Sequence, residues 1–181
     1  LQVLYGQFIY TSSILMGIAW IMLIPILLIA YYGAYLYDFR FLQLGERGPK
    51  LAGLICFFFF VIAWLFTENM QLMSLPGKFG EYFQHMNGSY LLSDYGPTMP
   101  RYLHTVCGAL AIGGLCVALL GKFQGNKDRE MAWLAEAIGL RTFMVFTFNS
   151  VGVGIWYLLS LPREQMLIFM GRDPGATVAF A

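Results

Sequence analysis

Charged residues are scarce in this chain. Of its 181 residues, 12% are charged, whereas 59% are hydrophobic and 17% are aromatic, and the mean hydropathy is +0.64. This composition lies outside the range of soluble globular domains and is typical of membrane proteins. Four long stretches contain no Asp, Glu, Lys or Arg, and they are 1–37, 51–67, 102–121 and 142–162.

Motifs of soluble enzymes and of nucleic-acid binding are also missing. The three cysteines, Cys56, Cys107 and Cys116, form no CxxC or CxxCH pattern, so we expect packing residues rather than a disulfide or a metal site. The sequence has no Walker loop, no dinucleotide fingerprint, no zinc-protease motif and no basic patch for nucleic acid. Any chemistry must therefore come from the few polar side chains at membrane depth.

The uncharged stretches predict an all-α, polytopic membrane helix bundle. A helix needs about 20 apolar residues to cross the hydrocarbon core, and lipid cannot satisfy the backbone of an open sheet. We predict four transmembrane helices, at about 8–37, 51–73, 100–122 and 131–161, with a long outer loop at 74–99, in a single integral membrane domain spanning 1–181. Pro25 should kink the first of these helices.

The basic residues predict how the chain is oriented. Four lie on the side of the 74–99 loop and seven on the other side; the first set is Lys78, Arg101, Arg163 and Arg172, and the second is Arg40, Arg47, Lys50, Lys122, Lys127, Arg129 and Arg141. The larger set marks the cytoplasmic side. The first and third loops should therefore face the cytoplasm, in a bacterial inner membrane.

One histidine opens an otherwise apolar or small-residue run, "PRYLHTVCGALAIGG". At helical spacing His104 shares a face with Gly108, Ala111 and Leu115, which leaves room for a flat group beside the imidazole. A haem b needs such a metal ligand, with a cation such as Arg101 near its propionates. The other interpretation is an interfacial His104 bonded to a neighbouring helix, with Arg101 reaching the lipid headgroups.

Other polar and small residues have helix-packing interpretations. Ala109 and Gly113 lie four apart on the face opposite His104, which predicts close helix packing there. Asn149 lies at membrane depth, where an unpaired amide is costly, so we expect a hydrogen bond to another helix.

Glu68 lies near the end of the second predicted helix, next to the 74–99 loop. It could act as a catalytic group by accepting a proton from a quinol. The other interpretation is a solvated loop residue. The loop itself is long for a helix connection, and such loops are often functional or contact partners.

Two segments resemble subunit I of the cytochrome bd quinol oxidases. They are "LFTENMQLM", which closes one predicted helix, and "MPRYLHTVCGALAIGG", which opens the next, within 54–114. The resemblance implies that His104 is an axial ligand of a low-spin haem b. The family's methionine ligand and quinol-binding loop lie further along than this sequence extends. Its high-spin and d-haem ligands have no counterpart, so an oxygen-reducing site is not implied.

Two classes of function remain open. In the first, the chain is an electron-transfer subunit of a quinol-oxidising oxidoreductase complex, passing electrons through a haem at His104 to a periplasmic cytochrome or a membrane partner. In the second, it is a cofactor-free anchor or assembly subunit of a larger respiratory or photosynthetic complex. Both predict contacts with lipid and with other subunits. The sequence does not open with methionine and ends in "GRDPGATVAFA", so we expect a processed or partial chain.

Overall fold

The computed structural model describes residues 2–92, 94–124 and 129–180, and within these ranges it contains helices and loops but no strand. This confirms the predicted all-α class. The α-helices are α1 (Gln2–Leu15), α2 (Gly17–Phe39), α3 (Phe41–Leu44), α4 (Gly48–Met73), α5 (Thr98–Gln124), α6 (Arg129–Ser160), α7 (Arg163–Leu167) and α8 (Pro174–Phe180).

Four helical segments are long and apolar enough to cross a membrane. They are Gly17–Phe39, Phe41–Met73, Thr98–Phe123 and Arg129–Ser160, close to the four predicted transmembrane helices. The chain is therefore an integral membrane protein. Its orientation stays a prediction, and residues 125–128, including Lys127 of the predicted cytoplasmic set, lie outside the described residues.

The first predicted helix, 8–37, is in fact two helices. They are separated at Met16, whereas α2 continues through Pro25. The Leu15 carbonyl at the break accepts a hydrogen bond from the Tyr90 amide at 3.1 Å, and the Ile18 amide donates to the Gly88 carbonyl at 3.0 Å. The helix can break here because residues from a distant loop pair with its backbone groups.

The chain divides into two compact units, Leu1–Asp94 and Tyr95–Ala181, while the predicted single domain over 1–181 stays a prediction. In the first unit α2 packs on α4. The Trp20 and Phe66 rings meet edge to face at 5.3 Å, and Gly33 lies against the Ile55 side chain. The predicted 74–99 loop contains a 3-10 helix, Pro76–Phe83, and ends where α5 begins at Thr98.

In the second unit α5 and α6 form a tightly packed hairpin. A Cβ atom added at Gly139 would lie 2.5 Å from the Ala118 backbone nitrogen, and one added at Gly114 would lie 2.8 Å from the Gly139 oxygen. The predicted packing pair, Ala109 and Gly113, does not pack on α6, because both residues are exposed in this hairpin. Helical spacing gives the faces of α5 correctly, but the backbone of α6 lies against the face that carries Gly114 and Ala118.

Candidate functional site

His104 lies in the second turn of α5 and reaches α6 with its imidazole ring. Its Nδ1 atom is 3.0 Å from the backbone oxygen of Ser150 and 3.2 Å from the Ser150 hydroxyl. The ring also lies against Gly154, where an added Cβ would be 3.1 Å from Cε1. The predicted bond from His104 to a neighbouring helix is therefore present, and it does not conflict with a ligand role.

The contacts with Ser150 bear on which ring nitrogen of His104 carries the proton. A carbonyl oxygen can only accept a hydrogen bond, so a bond to Ser150 O needs the proton on Nδ1, whereas the Ser150 hydroxyl can donate to an unprotonated Nδ1. When the proton of the neutral ring is on Nδ1, the lone pair is on Nε2, and among the described residues Nε2 has no hydrogen-bond partner. Histidines that bind metal usually donate their other ring N–H to a carbonyl or carboxylate in this way.

A groove between α5 and α6 surrounds the imidazole. Its volume is about 760 Å³, and its lining residues are His104, Gly108, Ala111, Ile112, Phe143, Thr147, Ser150, Val151, Gly154 and Ile155. Gly108 and Ala111 are thus on the His104 face as predicted, whereas Leu115 is not part of the lining. Ser150 and Gly154 of α6 also line the groove. No pattern in the sequence predicts that these two residues lie next to His104.

The groove fits an apolar group held by a single imidazole. Its lining includes no acidic or basic residue and no ligand nitrogen or sulfur other than the His104 ring. A second axial ligand, if present, would come from outside this groove. Arg101, one turn before His104, is partly buried but does not line the groove. Its predicted pairing with haem propionates stays a prediction.

Asn149 does not make the predicted bond to another helix. It is exposed, and its side-chain Nδ2 donates to the Val145 oxygen of its own helix at 2.8 Å. The next residue, Ser150, makes the interhelical contact instead. Successive side chains on a helix differ in direction by about 100°. Ser150 therefore faces α5, whereas Asn149, one residue earlier, does not.

Glu68 is fully buried, so the prediction of a solvated loop residue is wrong. It lies within α4, and its Oε2 atom accepts a hydrogen bond from the Leu92 amide at 2.6 Å. The neighbouring polar residues Thr67 and Asn69 are also buried, and Asn69 Nδ2 lies 3.5 Å from the Ser13 hydroxyl. The role of Glu68 as a proton acceptor stays a prediction.

His85, the second histidine, is partly buried in the segment between α4 and α5. Its ring lies 5.3 Å from that of Tyr90. Within the ranges that the structure describes, no group of three or more His, Cys, Asp or Glu side chains could hold a metal ion.

Two titratable side chains thus stand out at membrane depth, one in each unit. His104 faces a groove lined by small and apolar residues, and Glu68 is enclosed and bonded to a backbone amide. Polar groups at this depth are costly, and they are commonly functional. No family model, curated protein or solved structure matches this chain.

Proposed function

We propose that this chain is a haem b-binding subunit of a membrane electron-transfer complex, with His104 as an axial ligand. The observation that carries the proposal is the 3.0 Å contact between His104 Nδ1 and the Ser150 carbonyl. It orients the ring, and in the tautomer with the proton on Nδ1 it leaves the Nε2 lone pair for iron. The resemblance to cytochrome bd subunit I, which includes this histidine, supports the same assignment.

The residues around His104 have separate tasks in this proposal. The Ser150 carbonyl holds the imidazole, and Gly108, Ala111 and Gly154 contribute little side-chain volume to the groove beside it. Arg101 would place a positive charge one turn away, where it could neutralise propionate groups. A bound haem would supply one-electron transfer at this point in the membrane.

The proposal requires a partner surface, because His104 is exposed in the isolated chain. Iron in an electron-transfer site is shielded from water, and its potential depends on that shielding. Another subunit, or lipid together with a subunit, would cover the groove and supply the second axial ligand. A quinol is the proposed electron donor, with Glu68 as the proposed proton acceptor. The proposed acceptor of electrons is a periplasmic cytochrome or a second membrane subunit of the same bacterial inner-membrane complex.

The alternative is a cofactor-free anchor or assembly subunit. The absence of a second nitrogen or sulfur ligand from the His104 groove favours it. In that case the His104–Ser150 bond joins α5 to α6 and has no further chemistry. The two functions differ in one measurable property, the presence of a bound haem.

A visible difference spectrum of the complex purified from its native membrane separates the two. We expect dithionite to produce the sharp α-band of a reduced b-type haem, and a quinol to produce the same band more slowly. Haem extraction should give about one haem for each copy of the chain. A complex that retains this chain but has no b-type haem would support the anchor function.

Substitution of Gly154 by Ala tests whether the position of the imidazole matters. The added methyl group would lie 3.1 Å from His104 Cε1 and 3.2 Å from Nδ1, so the ring must shift by a few tenths of an ångström, which disturbs its contact with Ser150. Loss of such a second-shell bond lowers metal affinity by about 10- to 100-fold, and we expect a comparable loss of haem affinity. Gly152→Ala is the matched control, because a Cβ at Gly152 meets nothing within 4 Å. Equal haem affinities in the two variants would contradict the proposed role of the Ser150 bond.

A further inference from the structure

The segment Gly88–Leu92, which we call the strap, is bonded to two other parts of the first unit. Its Gly88 carbonyl accepts from the Ile18 amide, and its Tyr90 amide donates to the Leu15 carbonyl. Its Leu92 amide donates to Glu68 Oε2. The bonded residues alternate along the strap, as expected of an extended chain, in which every second residue has the same orientation.

The strap replaces hydrogen bonds that the α1–α2 break removes. A continuous helix would satisfy the Leu15 carbonyl and the Ile18 amide internally, and an unsatisfied backbone group in an apolar environment is costly. The strap supplies one partner for each of these two groups. The broken helix and the strap are therefore coupled, because lifting the strap would leave both backbone groups without these partners.

Glycine at position 88 allows the strap to approach the break. Gly88 has a φ angle of +71°, which favours glycine. A Cβ atom there would lie 3.0 Å from both the Cα and the nitrogen of Gly17. Any larger residue would hold the strap away from α2.

Glu68 holds the far end of the strap. Its side chain is completely buried, and it contacts the strap through a 2.6 Å bond to the Leu92 amide. The alternation in burial agrees with this attachment, because Gly88 and Leu92 are buried whereas Ser89 and Leu91 are exposed. A hydrogen bond between buried groups stabilises the position in which it forms, so this bond favours attachment of the strap at Leu92.

The start of the strap also forms one wall of a second groove, which has a volume of about 730 Å³. The lining comes from both sides of the helix break, including Ile14, Gly17 and Ile18, and from Met86, Asn87 and Gly88, where the chain enters the strap. Movement of the strap away from Gly17 would remove this wall. The position of the strap therefore determines whether the groove is closed on that side.

We propose that the strap is a hinged cover of this groove and that Glu68 is the latch that keeps it closed. The closed state has all three strap bonds, and the open state has none of them. Release of the Leu92 amide from Glu68 lowers the cost of opening the whole strap, because one of its three bonds is then already broken. This proposal concerns the first unit and does not depend on a haem at His104.

Amide hydrogen exchange of the full chain in lipid nanodiscs tests the latch. In Glu68→Ala we expect exchange at Tyr90 and at Ile18 to be about tenfold faster than in the original protein. Neither amide is bonded to Glu68, so their acceleration reports opening of the strap rather than loss of the Leu92 bond. Amides in the middle of α2 should keep their rates. Glu68→Gln, which keeps a neutral carbonyl acceptor, should give a smaller acceleration and provides the same test if the alanine variant does not fold.

Two further variants complete the experiment. Gly88→Ala should accelerate the same amides by displacing the strap directly, with Glu68 intact. Glu81→Ala is the control, because this nearby carboxylate pairs with Lys78 at 4.0 Å and should leave strap exchange unchanged. Acceleration confined to Leu92, or spread equally over α2, would overturn the latch.

Discussion

Replacing Gly139 by alanine is expected to separate α5 from α6. The new Cβ would lie 2.5 Å from the Ala118 nitrogen and 2.6 Å from the Gly114 oxygen. Both are backbone atoms, which cannot rotate away as the end of a flexible side chain could. Overpacking of a well-packed interface typically costs about 1–3 kcal/mol, and we expect a loss of at least about 3 kcal/mol because backbone must move.

The loss of stability in Gly139→Ala should appear as a lower unfolding temperature of the protein in detergent. Gly152→Ala is the matched control on the same helix, since its Cβ meets nothing within 4 Å and alanine favours a helix over glycine by about 1 kcal/mol. The control should therefore be neutral or slightly stabilising. If Gly139→Ala unfolds at the same temperature as Gly152→Ala, the close approach of the two helices is wrong.

The transmembrane helices could be predicted because one physical requirement dominates them. A chain in lipid must satisfy its backbone internally, so an uncharged run of sufficient length forms a helix. The second predicted helix ends at residue 73, as α4 does, and the third, 100–122, lies inside Thr98–Gln124. The bounds of these two helices follow from local composition, which can be read from the sequence.

The break at Met16 could not be predicted because its cause is not local. Its flanking sequence is apolar, and Pro25, the residue that predicts a kink, lies within a continuous α2. The bonds from Gly88 and Tyr90 decide the position of the break. Such pairing depends on where the distant strap folds back onto α1 and α2. The spacing of hydrophobic residues does not predict that position.

The candidate site was predictable on one helix and not on the other. Helical spacing places His104, Gly108 and Ala111 on one face of α5, and all three line the groove. The register between α5 and α6 decides that Ser150 and Gly154 meet the imidazole. In that register Gly114 and Ala118 of α5 meet Gly139 of α6, but the sequence pattern alone would allow other registers between the two helices.

Replacing His104 by alanine is expected to remove the b-type band from the reduced-minus-oxidised spectrum of the complex. A haem bound through this imidazole would lose its protein ligand on that side, and no other groove residue has a nitrogen or sulfur that could replace it. His85→Ala is the matched control, because it removes the only other histidine from a segment outside the four candidate spans. The His85 variant should keep the band at full intensity.

The result is informative only if the variant still assembles. Alanine at 104 also removes the bond to Ser150, so a lost band could follow from a displaced α6. His104→Gln reduces this ambiguity, because its amide can still donate to the Ser150 carbonyl whereas it is a poor iron ligand. We expect the glutamine variant to assemble with its partners and to lack the band. A glutamine variant that keeps a normal band would make His104 a helix-packing residue and leave the anchor function as the better explanation.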